Sequence, residues 1–429
     1  MNSIRPFIRC AVTLTAALSI QASDWPEYRG PTHDGRSPES ISKAWPVGGP
    51  RQVWKIPSEG GFSSFAVGGG RCFTIVPRDK DGAKMESLVG LDTETGKELW
   101  ATPLTVARYD GGANDGAEGN NGGDGPRSTP AVDGNRVYSL SSKLVLQCFN
   151  AADGSVVWSR DVMKEHAGAE LRWQNAQSPV IDGNGIFLAG GGPGQSLLAI
   201  NKKDGAVLWK GFDEKMTHAT CVPATIHGKR QVIFFVQSGL ISVDAITGKE
   251  LWRYAHTWKV STAASPVVSG DIVYCSSGYG VGGGAARISK SGNDWNATRI
   301  YFKDSNKPLA NHWSTPVLHE GHLYGMFQFK EYGKGPVKCV DIATGEVKWE
   351  QPGFGPGNVI YTDGHILALA DDGRLVLFKA TPSGYQEVAS ADVLDGKCWT
   401  TPVISGGRVY ARSTKEAVCL DVSLKSASR

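Results

Sequence analysis

Nine residues of this chain could together bind a small ligand, because their side chains combine positive charge, amide groups and aromatic faces. Each lies just ahead of one of the short apolar runs that recur along the sequence. They are Arg127, Trp173, Asn175, His218, Asn311, His312, Trp313, Lys397 and Trp399. Cations and amides suit an anionic ligand, and aromatic faces suit a planar one. The alternative is structural: the tryptophans pack between repeats, and the polar groups cap the starts of strands.

Other chemistry is only weakly indicated. A G-x-G-x-x-G match begins at Gly278, but the residues after it, AARISKSGNDW, do not suggest a phosphate-binding helix, so we expect a flexible loop. His319 and His322 share a turn without a third ligand, so no metal site is predicted there. The acidic, glycine-rich loop 107–125 matches no calcium loop and is interpreted as a surface excursion. No G-x-S-x-G motif is present, which leaves a serine hydrolase without support.

A repeated phrase positions the nine residues. A Ser/Thr-Pro-Val-like strand start, a turn and a second apolar run recur eight times, and six of the seven intervals lie between 43 and 50 residues. The strand starts are Phe65, Pro130, Pro179, Pro223, Pro266, Pro316, Val359 and Pro402. This period is typical of a four-stranded propeller blade.

A second phrase, ending in tryptophan after a Thr-Gly or Asp-Gly turn, supplies the outer strands. It ends at Trp100, Trp158, Trp209, Trp252 and Trp349. The last repeat stops after three strands, whereas RQVWKI at 51–56 carries an outer-strand tryptophan with no blade before it. The sequence therefore predicts an all-β, eight-bladed propeller of four-stranded antiparallel blades, with the ring closed by this N-terminal strand, which removes an exposed sheet edge.

The lengths of the connections divide the predicted ring into two faces. Turns between the first and second strands, and between the third and fourth, share one face and look uniformly tight. The other connections carry nearly all the extra length, at 101–127, 159–175, 190–196, 277–286, 303–312 and 328–336. Binding groups concentrate on loops held by a rigid scaffold. We therefore place function on this long-loop face.

Composition and termini complete the domain prediction. Residues 1–22 resemble a cleaved secretory leader, 23–50 an N-terminal extension, 51–424 the propeller and 425–429 a tail. The mature chain is then periplasmic or secreted, without a transmembrane anchor. The formal net charge of +3 and the lack of a basic run argue against nucleic acid. Cys148, Cys339 and Cys419 occupy one repeat position and are interpreted as core residues, with a disulfide framework as the alternative.

The D-x-x-T-G-K-x-x-W phrases ending at Trp100 and Trp252 resemble the tryptophan-docking repeats of quinoprotein alcohol dehydrogenase-like propellers. WPEYRGPTHDG at 25–35, together with GDGPRSTPAVDGNRVY and DGKCWTTPV, resembles a group of secreted PQQ-binding-like β-propeller repeat proteins. That group is similar in fold to BamB, the propeller lipoprotein of outer-membrane β-barrel assembly. The resemblance covers essentially the whole mature chain, but fold alone does not settle function.

Two functions follow from the resemblance. The first is a non-catalytic binding or scaffold propeller, monomeric, whose long-loop face engages a protein or a cell-envelope partner. The second is a dehydrogenase that oxidises an alcohol or sugar with PQQ and calcium. Such a site needs a stacking surface, cations for the quinone carboxylates and carboxylates for calcium. The adjacent-cysteine pair common in these dehydrogenases is absent, as is a haem-binding C-x-x-C-H motif, and no catalytic residue can be named.

Overall fold

The computed structural model describes residues 24–109, 125–327 and 330–424. Eight antiparallel sheets of four blade strands each are arranged in a ring, which confirms the predicted eight-bladed propeller. The described residues include one short helix, Val162–Glu165, whose N-cap Asp161 accepts a hydrogen bond from the backbone N–H of Lys164.

Each blade follows a meander from the ring axis outward. Blade 1 comprises Ala66–Gly68, Arg71–Lys80, Ala83–Asp92 and Glu98–Val106; blade 2 comprises Ala131–Asp133, Arg136–Leu140, Val145–Asn150 and Val156–Asp161. Blade 3 comprises Val180–Asp182, Gly185–Ala189, Leu197–Asn201 and Val207–Gly211; blade 4 comprises Val222–Ile226, Lys229–Val236, Gly239–Asp244 and Glu250–Ala255. Blade 5 comprises Val267–Ser269, Ile272–Ser277, Gly282–Ser291 and Asp294–Asp304; blade 6 comprises Val317–His319, His322–Met326, Val337–Asp341 and Val347–Gln351. Blade 7 comprises Asn358–Thr362, His365–Leu369, Arg374–Lys379 and Glu387–Asp392; blade 8 comprises Val403–Ser405, Arg408–Arg412, Glu416–Asp421 and the N-terminal Arg51–Pro57.

The ring closes through the N-terminal strand, as predicted. Arg51–Pro57 pairs antiparallel with Glu416–Asp421 as the outer strand of blade 8. The seam between blades 8 and 1 is also joined by Arg412, whose side chain is fully buried. Its guanidinium donates to the carbonyls of Ser63 and Ile75 in the blade 1 segment. Both chain ends therefore contribute to one closed ring.

The outer tryptophans join each blade to the next. The indole Nε1 of Trp54, on blade 8, donates to the carbonyl of Thr93 on blade 1 at 2.9 Å. The same ring packs on Gly96, where an added Cβ would lie 2.8 Å from it. Gly96 also has a positive φ of 70°. Trp100 repeats this contact with the carbonyl of Ala151 and with Gly154. The tryptophan and glycine of the repeated phrase thus form inter-blade contacts, because only a glycine turn admits the ring so closely.

The two faces differ in connection length. All eight turns between first and second blade strands contain two residues, so that set is tight. Two expectations about blade 5 were wrong. The predicted loop 277–286 lies mostly in strands, and the predicted flexible loop after Gly283 is a hairpin of Gly282–Ser291 and Asp294–Asp304. This hairpin also breaks the uniformity of the tight-turn face, because its tip extends past Ile272, the start of the second strand. Alternating β-formers such as Ile288 and Trp295, both in contact with the neighbouring blade 4, stabilise it.

Residues 25–42 lie across the tight-turn face and touch blades on both sides of the axis. The carbonyls of Trp25 and Pro26 accept hydrogen bonds from blades 1 and 2. The buried Arg29 donates to the carbonyls of Thr315 and Pro316 on the opposite side. Residues Arg36–Ser37 then add a parallel strand to blade 7. This floor segment therefore spans the end of the central channel.

The cysteines of the described residues are free and buried: Cys72, Cys148, Cys221, Cys275, Cys339, Cys398 and Cys419. They behave as small core residues, as the repeat position of three of them predicted. None of the helices within the described residues is long and apolar enough to span a membrane. The predicted leader at 1–22 and most of loop 107–125 lie outside the described residues.

Candidate functional site

A central cup opens on the long-loop face of the ring. It has a volume of about 160 Å³, and Tyr28 of the floor segment contributes to its lining. The hydroxyl of Tyr28 lies 3.3 Å from Thr315 Oγ1 on blade 6, which holds the ring in the axis. The remaining lining comes from loops and strand starts of several blades: Phe62, Ser64, Arg127, Thr129, Trp173, Ala176, Ser178, His218, Thr220, Ser261, Ala263, Tyr279, His312, Trp313, Lys330, Tyr332, Asn358, Trp399 and Thr401.

The structure brings six of the nine predicted residues into the lining of the cup. They are Arg127, Trp173, His218, His312, Trp313 and Trp399. Asn175, Asn311 and Lys397 lie outside it. Two thirds of the residues that were predicted to converge on the central channel therefore line the cup. A ligand-binding role for these residues remains a prediction.

The two asparagines have structural partners. Asn175 is buried, and its Nδ2 donates to the carbonyls of Ser141 and Gln177. Asn311 is fully buried; its Oδ1 accepts from Tyr274 and its Nδ2 donates to the carbonyl of Met326. Both amides therefore bond backbone carbonyls, mostly at the ends of second blade strands, so each has a structural role.

Lys397 lies beside the cup. Its Nζ is 3.5 Å from Asp371 Oδ2 and lies over the rings of Tyr332 and Trp399. Burial raises the pKa of Asp371, and the nearby Lys397 ammonium opposes that rise. Both Asp371 oxygens also accept from the backbone N–H of Gly333. This pair therefore ties the loop that carries Tyr332 to blades 7 and 8.

His218 lies on the cup wall as a neutral imidazole. Its Nε2 is 2.8 Å from the carbonyl of Arg172, which can only accept, so Nε2 carries the proton. Ser261 Oγ lies 3.1 Å from Nδ1 and donates to it. Burial lowers the pKa of His218 to about 4. The imidazole therefore supplies no positive charge at neutral pH.

Aromatic rings form one continuous wall of the cup. The ring centroids of Trp313 and Trp399 lie 4.8 Å apart, and those of Phe62 and Trp399 are also 4.8 Å apart. Tyr332 stacks on Trp399 at 5.7 Å with an interplanar angle of 17°. His312 extends the wall, 4.6 Å from Trp313. Because several of these rings are only partly buried, the wall presents flat apolar surface to the cup.

Two cationic side chains of the cup lining each lie over an aromatic ring. Arg127 lies 5.4 Å from the centroid of Tyr109, and its Nη1 donates to the carbonyl of Trp173 at 2.9 Å. Lys330 lies 5.1 Å from the centroid of Tyr279. Stacking of this kind holds a long side chain in place and brings positive charge to the mouth of the cup.

Three residues of the lining have a backbone conformation that side chains rarely adopt. Trp173, Tyr279 and Lys330 have φ values of 64°, 57° and 54°. Such left-handed residues cost free energy and cluster at ligand sites in known proteins. The backbone conformation of these three residues at the mouth of the cup is therefore a second indication of a ligand site, separate from the chemistry of their side chains.

Sequence reasoning missed more than half of the lining. Tyr279, Lys330 and Tyr332 lie on connections between second and third strands, where no apolar run follows at a fixed offset. The lining hydroxyls could have been found, since Ser64, Thr129, Ser178 and Thr401 immediately precede four of the repeated strand starts.

The described lining fits only part of a PQQ site. The stacking rings and the cations suit a planar polycarboxylate. Calcium needs several oxygen ligands, usually including carboxylates. Among the described lining residues none is Asp or Glu, and no three His, Cys, Asp or Glu within that part of the chain lie close enough to hold a metal ion. The lining within the described residues therefore does not match the calcium–quinone constellation.

Blades of four strands, inter-blade tryptophan contacts and an axial cup together define a PQQ-like repeat propeller. The family described as outer membrane protein assembly factor BamB matches residues 49–166 and 84–326, and this chain belongs to it. BamB of Shewanella oneidensis is 24% identical over 260 residues, covering 57% of this chain and 62% of that relative. The chain spans less than two thirds of the length of the curated relatives it matches.

Solved structures share the fold at low identity. BamB from Moraxella catarrhalis superposes with a TM-score of 0.59 at 15% identity, covering 88% of this chain and 99% of that one. The quinohemoprotein alcohol dehydrogenase from Comamonas testosteroni gives a TM-score of 0.65 at 13% identity, covering 95% and 81%. BamB and an alcohol dehydrogenase are thus both structural neighbours, so the likeness shows the fold alone.

Proposed function

We propose that this chain is a non-catalytic binding propeller of the periplasm or the cell exterior, and that its long-loop face engages a protein or a cell-envelope polymer. The observation that supports this most is the one-ended cup. Tyr28 closes the axis on one side, while partly buried aromatic rings and two lining cations, Arg127 and Lys330, surround the opening on the other. Such a concave, rigid and aromatic surface suits recognition.

The relatives support an envelope partner. The family and its curated member from Shewanella oneidensis are named for outer membrane protein assembly. A scaffold in that setting needs a surface for other envelope components and no catalytic group. We infer that this chain works in the same compartment as a monomer, with the predicted leader 1–22 removed.

A PQQ- and calcium-dependent dehydrogenase is the second candidate, because a quinohemoprotein alcohol dehydrogenase covers nearly the whole chain in superposition. The lack of carboxylates in the described lining argues against it. With PQQ and calcium added, we expect the purified protein to show no dye-linked oxidation of alcohols or sugars. Saturable binding of both, with turnover, would replace the proposed function by this one.

Site-specific photocrosslinking tests the proposal in living cells. A photoreactive phenylalanine analogue replaces Tyr332, an aromatic residue at the cup mouth, in the full chain. A matched position on the tight-turn face is Ile246, which is 83% exposed. We expect a discrete adduct from position 332 and none from position 246. Adducts from position 246 alone would show that the partner binds the tight-turn face and would contradict the proposal.

A further inference from the structure

The cup contains a belt of hydroxyl groups contributed by consecutive blades. The backbone N–H of Thr401 donates to Ser64 Oγ at 2.8 Å, and that of Ser64 donates to Thr129 Oγ1 at 3.1 Å. Thr129 continues to Ser178 Oγ at 2.9 Å, and Ser178 to Thr220 Oγ1 at 3.1 Å. All five residues line the cup. A Ser or Thr at or near each of these repeated strand starts therefore links one blade to the next around the axis.

This hydrogen-bonding pattern determines what the belt can offer a ligand. A hydroxyl that accepts a backbone N–H still has its O–H proton to donate. The hydroxyls of Ser64, Thr129, Ser178 and Thr220 donate to no acceptor within the described residues. Thr401 adds a hydroxyl that the belt does not use. The lining of the cup is thus rich in hydroxyl donors, which are spread over five blades.

The cup also has the aromatic wall described above. Trp313, Trp399 and Tyr332 form that wall. Arg127 and Lys330 add positive charge to the lining. A complementary ligand has one flat apolar face, oxygen acceptors around its rim and a negative charge.

The volume limits the size of that ligand. An apolar protein cavity of about 150 Å³ accommodates benzene. The cup, at about 160 Å³, therefore takes one six-membered ring, while its open mouth leaves room for substituents or a continuing chain. A pyranose ring has apolar C–H faces and a rim of oxygen atoms. An aromatic acid offers the flat face and the charge but no acceptors around the ring.

We propose that the cup binds a single carboxylate-bearing sugar ring, either free or as a unit of an acidic glycan. The aromatic wall stacks on the C–H face of the ring, the hydroxyl belt donates to its oxygen atoms, and Arg127 contacts the carboxylate. This assignment names the ligand class of the proposed binding function and rests on it.

Calorimetric titration of the full chain tests the ligand class. The probes are glucuronate, a short glucuronate-containing oligosaccharide, glucose, benzoate and inorganic phosphate. We expect saturable binding of glucuronate, with glucose and benzoate at least tenfold weaker and phosphate undetectable. Tighter binding of the oligosaccharide than of glucuronate identifies a glycan as the source, and equal binding identifies the free sugar. Equal affinity for benzoate and glucuronate, or binding of phosphate alone, would overturn the sugar assignment.

Two variants locate the contacts, and each has a control. Arg127→Ala should weaken glucuronate at least tenfold and leave glucose unchanged, whereas Lys249→Ala on the tight-turn face should change neither. Thr401→Val is nearly isosteric, keeps the backbone N–H that donates to Ser64 and should weaken glucuronate and glucose alike. Unchanged affinity in both cup variants would refute the proposal. If no probe binds while position 332 still gives its adduct, the ligand class is wrong and the binding face stands.

Discussion

Replacing Arg412 with alanine should destabilise the whole ring, because this buried side chain makes several hydrogen bonds between the last blade and the first. The side chain is fully buried, and burial lowers its pKa to about 10, so it stays charged at neutral pH. Its Nη1 donates to the carbonyls of Ser63 and Ile75 and to Thr74 Oγ1 at 3.1–3.2 Å. Its Nη2 donates to the carbonyls of Glu59 and Gly60. The substitution removes the guanidinium from five oxygens at the seam, of which the Ser63 carbonyl keeps the Thr74 hydroxyl as a donor.

The expected loss follows from those oxygens. A buried acceptor left unsatisfied costs about 1–3 kcal/mol, although water entering the vacated space recovers part of this. We therefore expect the free energy of unfolding, measured by urea titration, to fall by about 3–5 kcal/mol. Arg287→Ala removes only an exposed ion pair with Asp271 and should cost less than about 1 kcal/mol. Equal small losses in both variants would show that the seam does not depend on Arg412.

Two further predictions concern acid stability and thiols. The folded-state pKa of His218 is about 4, below its unfolded value of about 6.5. The unfolded chain therefore binds a proton first as the pH falls, and His218 should contribute a loss of stability of about 3 kcal/mol between pH 6.5 and 4. The buried His33 and His256, whose pKa values are also lowered to about 4, add their own contributions. His218→Gln should flatten that slope in urea titrations, and an unchanged slope would contradict the assignment. Seven thiols of the mature chain, without its leader, should react after denaturation without reductant, since the described cysteines are free. Fewer would reveal a disulfide.

The ring could be predicted because the residues that repeat in the sequence are the ones that form the contacts between blades. A tryptophan and a glycine recur at a fixed spacing because each blade must pack on the next, as Trp54 packs on Gly96. Strand closure was also readable, because an unpaired outer strand near residue 54 and an incomplete last blade are complementary. Strand pairing and burial determine which residue types occur at these positions, so both the repeat and the ring closure could be predicted from the sequence.

The cup was only partly predictable because it forms between blades. Tyr332 and Lys330 reach the axis through a connection whose path depends on Asp371, a residue of the next blade. No spacing in the sequence encodes that contact. Asn175 and Asn311 were misplaced for a related reason: an amide ahead of a strand can face the channel or cap the backbone, and neighbouring carbonyls decide which. The blade 5 hairpin was missed because its glycines suggested a loop, whereas its partner strand supplies the order.

The claim that the long-loop cup is the binding site is tested most directly by comparing two double variants on the photocrosslink from position 332. Arg127→Ala with Lys397→Ala removes one charge in the cup and one beside it, whereas Asn135→Ala with Lys249→Ala alters the tight-turn face. Both variants should stay folded: the second should unfold thermally like the parent, whereas the first should lose some stability because Lys397 pairs with the buried Asp371. We expect the adduct to be lost in the first variant and retained in the second. Equal adduct yields from the two variants, with both folded, would contradict the account.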